Sequence, residues 1–384
     1  MKRLLMCCAA LFFVTQLQAE PTHLNPFKVE SIKFLEKTGN SDSVGDVELP
    51  FVSGDQPKIA KKINDYLFIR LANTLAPDKA SDGIKRHLSK DDDDPMAGVS
   101  SLNYKVLLNN GKLLTLQIEG EICGAYCEEF GNSYSFDAVT GRHITLQDLL
   151  TESGTEALKQ KVYAARVLSM QQTVKRLQKQ AHKKPAKHKK TNDDDFEPDA
   201  EDQILLYKTC LTENAEMQKD EMKSGDHHEL DYFSIDTKRV TFTHERCSNH
   251  AERALDQIDE FKNSYNFQSL KPYLTQYAQY LLLGEKGQFK LSAGISEQVF
   301  YGNIGPSKIT FLIKPAEGYD RMLRAIYFYD KFRQPIELSG TGSTWTEINS
   351  TNKSQPTINA NWQAETLVGQ WQGNGKTLPF KIAP

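Results

Sequence analysis

Beyond its first fourteen residues the chain lacks any long apolar run. A membrane-spanning helix needs ~18 or more apolar residues in succession, and no later stretch approaches that. The chain also lacks a basic surplus. Lys and Arg number 47 against 50 Asp and Glu, a net charge of -3, which argues against a nucleic-acid partner. No nucleophile elbow, phosphate loop or dinucleotide fingerprint occurs. No catalytic residue, cofactor or metal centre is therefore assigned. Tryptophan is scarce, and Trp345, Trp362 and Trp371 all lie in the last part of the chain.

Cysteine is sparse, and its placement is informative. Lys2 and Arg3 precede an almost wholly apolar run from Leu4 to Val14, and Leu17-Gln18-Ala19 puts a small residue before Glu20. That order reads as an export signal over residues 1–19, which places the mature chain in the periplasm. Cys7 and Cys8 sit inside the apolar run, too early for a lipoprotein signal. Without the leader, 45 basic and 50 acidic side chains remain. The remaining length suits one large or two ordinary domains. Cys123, Cys127, Cys210 and Cys247 stay, an even number in an oxidising compartment. Of three pairings, Cys123–Cys127 and Cys210–Cys247 are expected. The longer loop should matter more to stability, native strain aside.

Residues 28–50 alternate as one or two strands. Pro57 then opens a helix whose stripe is Ile59, Ile63, Leu67 and Leu71, extended by Tyr66 and Leu75. Asp91 to Asp94 followed by Pro95 lacks the spaced donors and central glycine of a calcium loop, and reads as solvated. From Val99 a meander begins. Leu102, Tyr104, Val106 and Leu108 alternate, and Asn109-Asn110-Gly111 turns the chain into Leu114, Leu116, Ile118 and Ile122. Tyr134 and Phe136 mark a third strand, and Ile144 and Leu146 a short fourth. Ser153 to Glu156 resembles a capping box before the stripe Leu158, Val162, Ala165 and Leu168.

Residues 181–202 join a basic block, with Pro185 as a helix breaker, to an acidic one. This reads as a charged surface insertion, with contact to a polyanion as the rival account. Helices are expected over 203–222 and Leu270–Leu283, the latter stopped by Gly284. Between them, Phe233, Ile235, Val240 and Phe242 form a hairpin. After Gly284 the pattern becomes short aromatic strands, read as an all-β domain, a small barrel or curled sheet. Ile326 to Tyr329 carries large groups on both faces, one for a core and one for an interface.

His244-x-x-Cys247-x-x-His250 is the one compact set of zinc-type ligands, but Cys247 has disulfide partners available. Cys123-x-x-x-Cys127 is not the redox spacing. Asp137 and Asp148 are candidate catalytic acids, but each sits at the boundary of a local element and reads as a turn or helix-start carboxylate.

The run Tyr134-Ser135-Phe136-Asp137-Ala138-Val139-Thr140-Gly141, continuing to Leu149-Leu150, resembles a family pattern. That pattern is an Asn-Phe-Asp strand, a Thr-Gly turn and a Leu-Thr-Leu-x-Asp-Leu-Phe run. The family is the uncharacterised extracytoplasmic domain of the lysozyme-sensing anti-sigma factor V, which also accompanies the catalytic domain of the deacetylase PdaC. Ile63-Asn64 matches its helix, and Leu270-Lys271-Pro272-Tyr273-Leu274 its late segment, so the resemblance covers about 28–282. It implies helices against an antiparallel sheet and an envelope setting, not an activity. Tyr126 stands where the family has His, and the charged insertion is extra.

The reading is thus α+β: an antiparallel sheet packed with helices over 20–283, then an all-β domain over 284–384. The expected function is recognition of an envelope protein, a lysozyme-like enzyme or a cell-wall glycan. A polysaccharide hydrolase with paired carboxylates, or a structural envelope component, are the rivals. Tyr126, Tyr327, Tyr329 and Trp345 are the candidate contacts, because Tyr and Trp bury much area at low entropy cost.

Overall fold

The computed structural model describes residues 25–33, 47–84, 96–182, 198–224, 230–286, 297–314, 323–348 and 355–384. The leader, the Asp91–Asp94 run and most of the charged insertion lie outside the described residues.

Two antiparallel strands, β1 (Lys28–Lys33) and β2 (Glu48–Ser53), precede helix α1 (Pro57–Ala72). Pro57 sits in the first turn, where its missing N–H costs nothing, and Asn73 ends the helix in the left-handed region. Ile63, Leu67 and Leu71 are buried, as their spacing predicts. Asn64, on the buried side, accepts from the Val52 amide at 2.7 Å and donates to its carbonyl at 2.8 Å. A buried amide is thereby satisfied, and the helix is fixed to β2.

The meander forms β3 (Val99–Asn109), β4 (Leu113–Cys123) and β5 (Cys127–Asp137), in that order in one antiparallel sheet. Gly111 takes φ +78° in the first turn. Leu114, Leu116, Ile118 and Phe136 join the core of α1. The expected fourth strand is absent. His143 makes only an isolated bridge to Phe136, and Leu146–Leu149 is a short helix, α2. Thr145 caps it and Asp148 completes a capping box, which outcompetes the weak alternation.

Helix α3 (Glu152–Ala181) starts two residues earlier than the Ser153 signal suggested: Thr151 is the cap and accepts from the Gly154 amide. It packs on α4 (Ala200–Ser224). A second three-stranded sheet follows, β6 (Phe233–Ile235), β7 (Arg239–His244) and β8 (Phe261–Asn266). The expected helix over Leu270–Leu283 is split. Phe267–Leu270 is α5, a 3-10 turn spans Lys271–Tyr273, and α6 runs Gln276–Leu283. Pro272 accounts for the break, and Gly284 ends α6 at φ +70°.

The last eight strands are β9 (Gln298–Ile304), β10 (Ser307–Ile313), β11 (Leu323–Tyr329), β12 (Pro335–Gly340), β13 (Thr344–Glu347), β14 (Thr357–Gln363), β15 (Thr366–Gly373) and β16 (Lys376–Ala383). They pair in sequence, and β16 closes on β9. The closing seam needs Gly302, because a Cβ there would lie 1.8 Å from the Lys381 carbonyl oxygen. Alternation divides the side chains. Phe300, Phe311 and Tyr327 fill the barrel, while Val299, Leu312, Ile326 and Phe328 face outward and join the core of α1. Three further contacts reinforce this junction. Tyr301 donates to Asp65 at 2.8 Å, and Arg333 donates to the Leu75 and Ala76 carbonyls at 2.6 and 2.8 Å. The fold is therefore α+β, with a closed eight-stranded barrel joined to it through a shared core.

Candidate functional site

A groove of about 2070 Å³ runs between the β4–β5 hairpin and the β6–β8 sheet. Gln117, Glu129 and Ser133 line one side, and Ser234, Thr241 and Lys262 the other. That volume exceeds the roughly 300–1,000 Å³ of an ordinary small-molecule pocket. Eight carboxylates line it against three Lys or Arg side chains. Two of those cations are already paired, Arg246 with Glu128 at 3.0 Å and Lys262 with Glu260 at 2.6 Å.

One end of the groove is clasped. Cys123 and Cys127 face each other across the hairpin and form a disulfide, leaving Tyr126 60% exposed at the tip. The Tyr126 ring stacks on His250, centroids 4.0 Å apart. Glu128, on the same hairpin, reaches Arg246 and lies 3.7 Å from His250 Nδ1. The segment carrying Arg246 and His250 is held by the second disulfide, Cys210–Cys247. Both bridges have the expected pairing, and each supports one half of this clasp.

The floor joins distant parts of the chain. Tyr66 and Arg70 come from α1, Tyr134 from β5, His143 from the turn before α2, and Glu297 from the entry to β9. The Tyr66 hydroxyl donates to Glu297 Oε1 at 3.2 Å, and the His143 ring stacks on Tyr66 at 4.5 Å. Gln298 donates to the His143 carbonyl at 3.0 Å, so the barrel entry holds the imidazole segment. Burial, with the Arg70 charge acting alongside, pushes the His143 pKa below its ordinary value, against the opposing pull of Glu297. The imidazole is thus neutral near pH 7. Burial and the Glu297 charge hold the Tyr66 phenol well above its usual range, and burial raises Tyr134. Both remain hydroxyl donors.

Among the four aromatic candidates, only Tyr126 is exposed at the groove. Tyr327 and Trp345 are 1% and 0% exposed, so their expected surface share is corrected: they point into the barrel. Tyr327 donates to Glu347 at 2.7 Å, and half-buried Tyr329 packs on it at 5.5 Å. Asp137 and Asp148 are structural. Asp137 accepts from the Val139 and Thr140 amides and from Tyr277 at 2.6 Å. Asp148 takes Arg142 in a forked pair at 3.0 and 3.3 Å. Cys247 is in a disulfide and His244 lies against Arg166, so the His-Cys-His set does not converge. Glu121 clusters with Cys123 and Cys127, whose sulfurs are joined to each other and offer no thiolate. No local pattern announces Arg70, His143 and Glu297 as one group. The only signal was His143 lying inside the Thr-Gly turn motif.

Together, fold and site define a mixed α+β scaffold that frames an acidic groove and carries a closed barrel. Two solved structures resemble it. One is a DUF3298 family member from Bacteroides fragilis NCTC 9343, at 12% identity and a TM-score of 0.34, covering 66% of this chain and 93% of that one. The other is a DUF3298 family protein from Pseudomonas aeruginosa PAO1, at 12% identity and a TM-score of 0.33, covering 66% and 95%. No family profile and no curated protein matches the chain. No helix among the described residues is long and apolar enough to cross a membrane.

Proposed function

We propose that the protein is an exported envelope protein that binds a cationic polypeptide, such as a lysozyme-like enzyme, along the groove. The observation that carries this reading is the acidic excess of the lining in a space too large for a small ligand. The two disulfides and the leader pattern support an oxidising, extracytoplasmic setting. Tyr126 offers an exposed aromatic at the clasped end.

Calorimetric titration with a basic lysozyme at 25 mM and 300 mM salt tests the reading. Saturable binding that weakens at high salt is expected, since surface charges are screened beyond about 10 Å at 0.1 M. A Tyr126→Ala variant should bind more weakly. Absence of lysozyme binding at low salt, with binding to neutral peptidoglycan fragments instead, would overturn it in favour of a glycan.

A further inference from the structure

We propose that Glu297 and His143 form an anchor subsite at the floor of the groove, taking one ammonium or guanidinium group of the occupant. This rests on the reading that the groove receives a cationic polypeptide, and it says which residues select the inserted side chain. A carboxylate and a buried imidazole meet there. His143 is 8% exposed, and its Nδ1 has no hydrogen-bond partner among the described residues. Glu297 Oε1 lies 3.9 Å from that nitrogen and accepts from the Tyr66 hydroxyl at 3.2 Å.

The Glu297 carboxylate suits an N–H-rich cation, and the neutral imidazole beside it brings no competing charge. The Glu297 side chain is 23% exposed and lines the groove, so it is reachable from above. Its backbone sits at φ +57°, a conformation that costs energy in a non-glycine residue and recurs at ligand clamps. The Tyr66 and His143 rings, stacked together, wall one side. Arg70 is hydrogen-bonded to the Tyr134 phenol.

The subsite should also respond to pH. The charged or titratable groups facing His143 are Glu297, Arg70, Asp148, Arg142, Tyr66 and Tyr134. A protonated imidazole beside Glu297 supplies the positive charge that the occupant would otherwise bring. Acid therefore weakens anchoring.

The test has two arms. In the first, basic lysozyme is titrated into the full chain, Glu297→Gln and His143→Phe at pH 7.5 and 5.5, with near-ultraviolet circular dichroism to confirm the fold. Gln keeps an acceptor for Tyr66, and Phe keeps the ring stack. Glu297→Gln should bind at least tenfold more weakly at pH 7.5. His143→Phe should lose the pH dependence specific to the wild type. In the second arm, n-butylammonium is added while the His143 ring is followed by NMR. Its resonances should shift in the wild type and stay still in Glu297→Gln. Lysozyme binding that is equal in the wild type and Glu297→Gln, with no ring shift, overturns the anchor and leaves the groove reading intact. A ring shift without lysozyme binding keeps the anchor and removes the groove reading. Neither response removes both.

Discussion

The two disulfides should differ in their stabilising effect, and the structure gives the size of the difference. Cys210 and Cys247 are separated by 37 residues, and Cys123 and Cys127 by 4. Loop-closure entropy assigns about 4 kcal/mol to the first and about 2 kcal/mol to the second at 25 °C. The smaller figure is an upper bound, because Cys123 already opposes Cys127 in the strand register and the hairpin closes that loop without sulfur. The longer bridge has no such substitute. It ties α4 to the segment after β7, beside Met170 of α3. Total stabilities are commonly about 5–15 kcal/mol, so losing about 4 is severe. Urea unfolding of Cys210→Ala/Cys247→Ala and Cys123→Ala/Cys127→Ala, followed by far-ultraviolet circular dichroism, reads both. All three tryptophans lie in the barrel, so their fluorescence reports that part separately. The first double variant should shift the dichroism midpoint at least twice as far as the second. An equal or reversed order would refute the loop-entropy argument for this fold.

Three further outcomes follow from buried polar groups. Asp148→Ala removes the forked carboxylate from the Arg142 guanidinium, 12% exposed, and half of the capping box of α2, so urea unfolding should show a loss of about 3–5 kcal/mol. Arg333→Met removes two charge-assisted bonds to the segment just after α1 and should cost roughly 2–4 kcal/mol, read as an earlier loss of tryptophan fluorescence in urea. His143 has a folded pKa below its unfolded value, so the folded state binds fewer protons. Its contribution is full above the unfolded value near 6.5 and declines as pH falls from there to the folded pKa. The stability difference between wild type and His143→Phe should change over that window and be flat above it, which denaturation at stepped pH would show.

Local periodicity made much of the scaffold legible. Ile63, Leu67 and Leu71 mark the buried side of α1 because a 3.6-residue repeat admits one reading when it is that regular. The turn between β3 and β4 was legible too, although it centres on Gly111-Lys112, with the Asn110 side chain accepting from the Lys112 and Leu113 amides. Strand β8, Phe-Lys-Asn-Ser-Tyr-Asn, escaped notice: only Phe261 is fully buried in it, so it carries too little apolar signal. Ile144 and Leu146 misled because alternation over four residues is weaker than a capping box that satisfies two amides. The aromatic strand β11 was recognised, but sequence could not say which face is which. Closure of the barrel decides that, by turning Tyr327 inward and Phe328 toward α1.

The floor of the groove was the least legible part, and the reason is geometric. A helix face, a turn and the entry to a barrel meet there, and each is ordinary alone. Tyr66 belongs to the apolar stripe of α1, and only the arrival of Glu297 gives its hydroxyl an acceptor. Glu297 arrives because β9 packs its outward Val299 into the core of α1, while Tyr301 bonds Asp65. The barrel is thus placed by apolar burial and buried hydrogen bonds along one helix. The same docking carries its first residue into the groove of the neighbouring sheets. Packing and recognition share this contact, so a change that loosens α1 from the barrel should disturb the floor before it disturbs the Tyr126 clasp at the far end.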